Sequence, residues 1–364
     1  MDKLFIPTDR IGLESCQKSI GDTFCAVNAL LRAGAVPEIH TCGVYFDNTQ
    51  TWPEGHYYQS GFSIDNTPRF VDIADSFGLI YEKVTTVPTE GRKLHHKSIA
   101  LYNGRGAGED FSAPLIEVLK WGGFDFDFVN DADIRCGRLK DFGIMLVPGS
   151  PDAGECYYAG LGDKGYCEIR SFLAEGGEYL GICGGAYLPL TSYNTKNRYW
   201  LNIVEATDTE DLDYWRTGSG FVRCRIEDDS HPIFTSIALG ASSTMNLVYW
   251  EGPAITIKGG NVRTLAHFET LLACGREPMR PYWDMHDNTM AHDAACKWYN
   301  PLTPEIFNKL LCKKTAFAEA IYRGQRILLF SPHPEMGNIG YGKRKDSLNF
   351  LLIYNGLAHL FTEK

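Results

Sequence analysis

Residues 179–187 read Tyr-Leu-Gly-Ile-Cys-Gly-Gly-Ala-Tyr, and no other stretch constrains this chain as strongly. An apolar run enters Gly-x-Cys-x-Gly and leaves it in residues that suit a helix. This is the pattern of a nucleophile elbow with Cys in place of Ser. A nucleophile on a sharp strand-to-helix turn needs backbones to pass close beside it, and Gly181 and Gly185 leave that room. At a helix N-terminus Cys183 meets the positive end of the helix dipole, which favours thiolate over thiol. The following amide, that of Gly184, is placed to hold an oxyanion.

A nucleophile needs a base. Residues 326–330, Arg-Ile-Leu-Leu-Phe, read as a buried strand, and Ser331-Pro332-His333-Pro334-Glu335 follow it. His-x-Glu just past a strand presents an imidazole and a carboxylate to one cleft. The carboxylate orients the ring, and the ring takes the thiol proton.

The order of elements says what kind of sheet carries these residues. Residues 3–7 read as a strand, and residues 24–33 as a helix capped by Gly21-Asp22-Thr23 and stopped at Gly34. Strands follow at 36–45 and 57–64, a helix opens at Thr67-Pro68, and another strand covers 79–84. Residues 1–96 are therefore a small α/β layer of unassigned role, with 88–97 as a polar, basic linker. From residue 98 strands and helices alternate: a strand at 98–102, a helix at 111–121, a strand at 124–129, a short connection at 131–139 and a strongly apolar strand at 143–147. A helix at 163–174 and the elbow strand at 179–182 complete the run. This alternation predicts an α/β fold, a mostly parallel sheet flanked by helices, with ligands at the carboxyl ends of its strands. Cys183 and Gly149 both fall at such ends. Residues 200–206, 220–226, 247–251 and 261–268 read as β segments on the sheet's margin, and 315–330 as a hairpin leading to His333. Residues 346–361 read as an amphipathic closing helix. Residues 269–312, rich in Cys, Trp, Pro, Met and His, read as an irregular cover over the site or a small subdomain.

Composition narrows the class. In 364 residues 44% are hydrophobic and 13% aromatic, so a sizeable core can form. The formal net charge is -10 and no Lys/Arg-rich run occurs, which argues against nucleic acid or an anionic membrane surface as partner. Eleven cysteines without a CxxC pair support neither a zinc ribbon nor a disulfide framework. No apolar run reaches the roughly 18 residues needed to span a bilayer, and the start of the chain does not read as a signal peptide. A reducing, cytoplasmic compartment is expected. A homodimer is compatible with the sequence, which does not fix the oligomeric state.

Two further groups bear on function. Asn103-Gly104-Arg105-Gly106-Ala107-Gly108 fits no dinucleotide fingerprint and reads as a tight turn at the mouth of the site. His286, His292 and Cys296 could ligate a metal, although their spacing matches no zinc template. The leading reading has no metal and no cofactor. A second reading is a binding or scaffold protein that keeps the pocket without turnover.

Gly-Ile-Cys-Gly-Gly, Phe-Ser-Pro-His-Pro-Glu and Leu-Val-Pro-Gly-Ser together resemble the class I glutamine amidotransferase-like superfamily. Tyr102-Asn103-Gly104, the elbow and Tyr249-Trp250-Glu251-Gly252-Pro253 are similar to its biotin-protein ligase N-terminal domain type, over residues 98–364. The resemblance implies a flavodoxin-like, glutamine amidotransferase-like domain over 97–364. It also implies a Cys183–His333–Glu335 triad and oxyanion or substrate contacts at Gly149, Gly184, Tyr187 and Gly104. The chain departs from the pattern in two ways. Tyr187 stands where glutamine-hydrolysing members carry Gln, and no Gly-x4-Gly-Lys-Ser/Thr is present for a synthetase that would use ammonia. The function implied is amide or acyl-group hydrolysis or transfer through a thioester, on a small-molecule or peptide-like substrate.

Overall fold

The computed structural model describes residues 2–363 apart from 9, 12, 13, 16, 50, 151, 152, 192–197, 209–217, 238–242, 275–301 and 338–346. Two sheets organise these residues. The first is built by the N-terminal region from β1 (Lys3–Pro7), β2 (Glu38–His40), β3 (Gly61–Asp65), β4 (Glu82–Val84) and β5 (Arg92–Lys93). Its order is β4-β1-β3-β2-β5, and each neighbouring pair is antiparallel. Helix α1 (Ile20–Arg32) starts at Ser19, whose hydroxyl accepts from the Asp22 amide. The cap therefore precedes the Gly21-Asp22-Thr23 expected from sequence. Helix α2 (Pro68–Ser76) starts as expected, with the Thr67 side chain accepting from the Phe70 amide and Pro68 in the first turn. The basic linker does more than connect, because β5 pairs with the β2 edge.

The second sheet has nine strands. They are β6 (Ile99–Tyr102), β7 (Phe126–Val129), β8 (Ile144–Val147), β9 (Glu178–Ile182), β10 (Ser219–Ile226), β11 (Thr244–Trp250), β12 (Val262–Cys274), β13 (Thr315–Tyr322) and β14 (Gln325–Phe330). The order is β7-β6-β8-β9-β14-β13-β12-β10-β11. The first five strands run parallel, and β13, β12, β10 and β11 extend the sheet by antiparallel pairing. Helices α3 (Glu109–Trp121), α4 (Glu155–Ala174), α5 (Gly184–Tyr187) and α6 (Phe350–Phe361) connect or flank the strands. β8 is buried at every position, as its unbroken apolar sequence requires of a strand covered on both faces.

Helix α6 departs from the amphipathic expectation, since each of its twelve residues is buried. The N-terminal layer covers the side that would otherwise face water. Phe24 of α1 packs against Tyr354 of α6 at 5.0 Å between ring centroids and against Phe124 at 6.4 Å. The Asn28 amide donates to the Gly122 carbonyl at 2.8 Å. Apolar residues of both regions thus form one continuous core. Residues 269–274 belong to β12 and Pro304–Ile306 is helical, so both ends of the expected 269–312 cover are regular. Its middle lies outside the described residues.

Candidate active site

The parallel half of the sheet brings the sequence-predicted residues together. β8, β9 and β14 are neighbours, with Val147 opposite Gly181 and Ile182 opposite Phe330. Their carboxyl ends therefore deliver Pro148-Gly149, Cys183 and Ser331-Pro332-His333 to the same edge.

At the elbow the strain sits on Cys183 itself. Cys183 has φ 50 and ψ -108, a conformation costing a side-chain-bearing residue about 1–3 kcal/mol. The surroundings hold it there. The Cys183 amide donates to the Phe330 carbonyl at 2.8 Å, and the Gly185 amide to the Pro148 carbonyl at 3.1 Å. The buried Tyr179 hydroxyl donates to the Gly185 carbonyl at 2.6 Å. The flanking glycines are needed for close approach: a Cβ on Gly185 would lie 2.1 Å from the Val147 carbonyl oxygen, and one on Gly181 2.2 Å from that of Gly185. Both obstacles are backbone atoms that no rotamer change can move.

His333 is fully buried, and its Nδ1 lies 2.6 Å from Glu335 Oε1. Its amide donates to the Val248 carbonyl at 2.8 Å, which pins the residue to β11 as well as to β14. The other ring nitrogen, Nε2, has no hydrogen-bond partner among the described residues. Burial by itself pulls the imidazole's pKa down, but the Glu335 carboxylate and the Cys183 sulfur outweigh it, and the pKa ends above its ordinary value. The Cys183 thiol donates to the Trp250 carbonyl at 3.2 Å.

Two aromatic residues close the arrangement. Phe111, near the start of α3, stacks on the His333 ring at 5.1 Å and 20°, and meets the Trp250 ring edge-on at 5.1 Å. The same Phe111 ring lies where a Cβ on Gly149 would be, 2.6 Å from its Cγ. Periodicity marks Phe111 only as an apolar helix position, so nothing in sequence separated it from a core residue.

The remaining expected residues occupy different places. Gly149 follows β8 and Gly184 opens α5, and a Cβ on Gly184 would meet the Ser150 amide nitrogen at 2.5 Å. The Tyr187 hydroxyl donates to the Glu251 carbonyl at 3.2 Å, and its ring stacks on Trp200 at 5.8 Å. This ties the elbow helix to the turn after β11. Gly104 sits in the turn organised by Asp131, which accepts from the Tyr102 hydroxyl at 2.6 Å and the Arg105 amide at 2.9 Å.

His286, His292 and Cys296 lie outside the described residues. A different group, His231, Glu319 and His359, has ligand atoms within 4.8 Å of one another in the interior. Its donor chemistry opposes a metal. The Ile233 amide donates to His231 Nδ1, and Arg92 lies 3.3 Å from His359 Nδ1, where a guanidinium can only donate. Neutral rings accepting at Nδ1 carry their protons on Nε2, the atoms that face Glu319, whereas a ligating His donates its second nitrogen outward. Arg263 also donates to Glu319 Oε2 at 2.8 Å. These residues form a carboxylate network joining β12, β13 and α6.

Residues 139–215 match the family model described as biotin-protein ligase, N terminal. The matched stretch contains the elbow and stops short of His333, and it agrees with the resemblance drawn from the elbow motif. No curated protein matches the chain. The chain is similar to several solved structures. One is a glutamine amidotransferase at 15% identity, with 72% of this chain and 98% of that chain covered and a TM-score of 0.40. Another is a glutamine amidotransferase from Thermotoga maritima at 10% identity, with 67% and 78% covered and a TM-score of 0.38. A third is a ThuA-like protein from Bacteroides uniformis at 11% identity, with 74% and 93% covered and a TM-score of 0.40. No helix among the described residues is long and apolar enough to cross a membrane.

Proposed function

We propose that this chain is a cysteine-dependent amidohydrolase or acyl transferase of the glutamine amidotransferase-like type, acting on a small amide or peptide-like substrate. One observation carries the reading. The His333 ring is buried with Nδ1 tied to Glu335, and the Cys183 side chain lies within reach of the ring. A thiol beside an imidazole that a carboxylate orients is set for proton transfer.

In this reading the Cys183 sulfur attacks the substrate carbonyl carbon, and the thiol proton resides on His333 Nε2. The Gly149 and Gly184 amides hold the oxygen that gains charge. As the carbon–nitrogen bond breaks, the proton passes to the departing amine, leaving an acyl thioester on Cys183. Water, or an acceptor amine or hydroxyl, then gives its proton to His333 and attacks the thioester, which releases the acyl product and restores the thiol. Glu335 keeps the imidazole oriented throughout.

The test is to expose the protein to small activated esters and amides and look for an acyl adduct on Cys183 by intact-protein and peptide mass spectrometry. The reading expects a Cys183 adduct that turns over, is absent in Cys183→Ala and forms at least tenfold more slowly in His333→Ala. Adduct formation at the same rate in His333→Ala would remove it. The second reading, a pocket kept without turnover, draws on the closure of the site, where the thiol is engaged by the Trp250 carbonyl and only 2% of Cys183 is exposed.

A further inference from the structure

The Phe111 ring touches two parts of the proposed site at once, covering the Gly149 Cα and the face of His333. The ring therefore stands beside both groups to which the proposed function gives a role in handling an acyl carbonyl. We infer that Phe111 is a specificity-determining residue that bounds the acyl pocket, restricting it to narrow acyl groups with no bulky branch beside the carbonyl. This inference rests on the proposed thioester chemistry and names the class of acyl group that site accepts.

Three observations support it. The ring is itself held, because Trp250 meets it edge-on at 5.1 Å and α3 fixes its backbone. The Phe111 amide donates to the Gly108 carbonyl at 3.1 Å, and the Gly108 amide donates to the Gly149 carbonyl at 3.1 Å. The turn before α3 is therefore coupled to the loop that carries the Gly149 amide, and the Phe111 backbone keeps its place relative to Gly149. Finally, Cys183, Ser331 and His333 are all 2% exposed or less. In a site this enclosed, the size of one wall residue decides what enters.

The experiment compares two electrophiles that differ by one ring, iodoacetamide and N-benzyl iodoacetamide. Labelling of Cys183 is followed at peptide level by mass spectrometry under native conditions. Wild-type protein should label with iodoacetamide at least tenfold faster than with the benzyl reagent. In Phe111→Ala the two rates should come within threefold of each other, chiefly because the benzyl reagent speeds up. Phe111→Leu, which keeps aliphatic bulk and serves if the alanine variant does not fold, should give an intermediate ratio. A ratio unchanged in a folded Phe111 variant, or Cys183 inert to both reagents in folded Phe111→Ala, overturns the inference. The selectivity ratio does not depend on His333. A shifted ratio with labelling insensitive to His333→Ala would therefore retain the wall and remove the thioester chemistry, and the converse pattern would do the reverse.

Discussion

Glu335 Oε1 lies 2.6 Å from His333 Nδ1 in an interior where neither side chain is more than 2% exposed. A carboxylate that close favours the charged imidazolium over the neutral ring. In a ring titration followed by NMR, His333 should ionise above the ordinary value of about 6.5, and Glu335→Gln should lower that value. The sign for stability follows. A His whose pKa is raised on folding stabilises the fold fully below about pH 6.5 and loses that contribution as pH rises through the folded value. Denaturant titrations from pH 6.5 upward should show this loss in wild type and a flatter profile in His333→Ala. A His333 titration at or below 6.5 would count against the pairing.

Gly185→Ala should be among the most damaging single changes in the chain. The new Cβ would sit 2.1 Å from the Val147 carbonyl oxygen, so strand and elbow must separate and the strained Cys183 turn loses its support. A loss of about 3 kcal/mol or more is expected, read as a lowered denaturation midpoint or as insoluble expression. Gly324→Ala, where a Cβ would meet nothing within 4 Å but φ is +82, should cost only about 1–2 kcal/mol.

The His231–Glu319–His359 network predicts acid sensitivity away from the proposed active site. Burial holds the His359 pKa down to about 4, with Glu319 opposing. The native state therefore keeps this ring neutral while the unfolded chain takes up a proton near pH 6.5. Stability from this group is fully present above about pH 6.5 and is lost as pH falls towards 4. His359→Gln should flatten that part of the stability–pH curve, as followed by thermal denaturation between pH 4 and 7. An unchanged curve would rule the ring out as its source.

Phe24→Ala tests whether the N-terminal layer shares the main core. Its ring packs on Phe62 at 5.7 Å as well as on Phe124 and Tyr354. Removing it should cost about 3–5 kcal/mol. Because the contacts join the N-terminal layer to residues flanking the second sheet, unfolding should remain a single transition at a lower midpoint. Two separate transitions would show that the layer folds independently.

The site was legible in sequence where chemistry fixes spacing. Gly-x-Cys-x-Gly needs its glycines because backbone passes within contact of them, and His-x-Glu places its two side chains on one side of a turn. The parallel strands were legible because burial on both faces produces unbroken apolar runs such as residues 144–147. Other features depend on contacts between distant segments, and no local pattern records those. Phe111 reads as an ordinary helix position until Gly149 and His333 are seen beneath it. The burial of α6 on every side follows from a layer some 300 residues earlier in the chain. Residues 92–93 look like linker because a two-residue edge strand has no periodicity to display. His231, Glu319 and His359 are scattered over more than a hundred residues, so no spacing rule could unite them.

The most direct measurement of the central claim is the rate of Cys183 acylation by a small activated ester in wild type, His333→Ala and Glu335→Gln, with the adduct located by peptide mass spectrometry. The account predicts an adduct at Cys183 that forms and is released in wild type, at least tenfold slower formation in His333→Ala and a smaller slowing in Glu335→Gln. Acylation of Cys183 no faster than that of exposed cysteines such as Cys42 or Cys167, and indifferent to both substitutions, would contradict it.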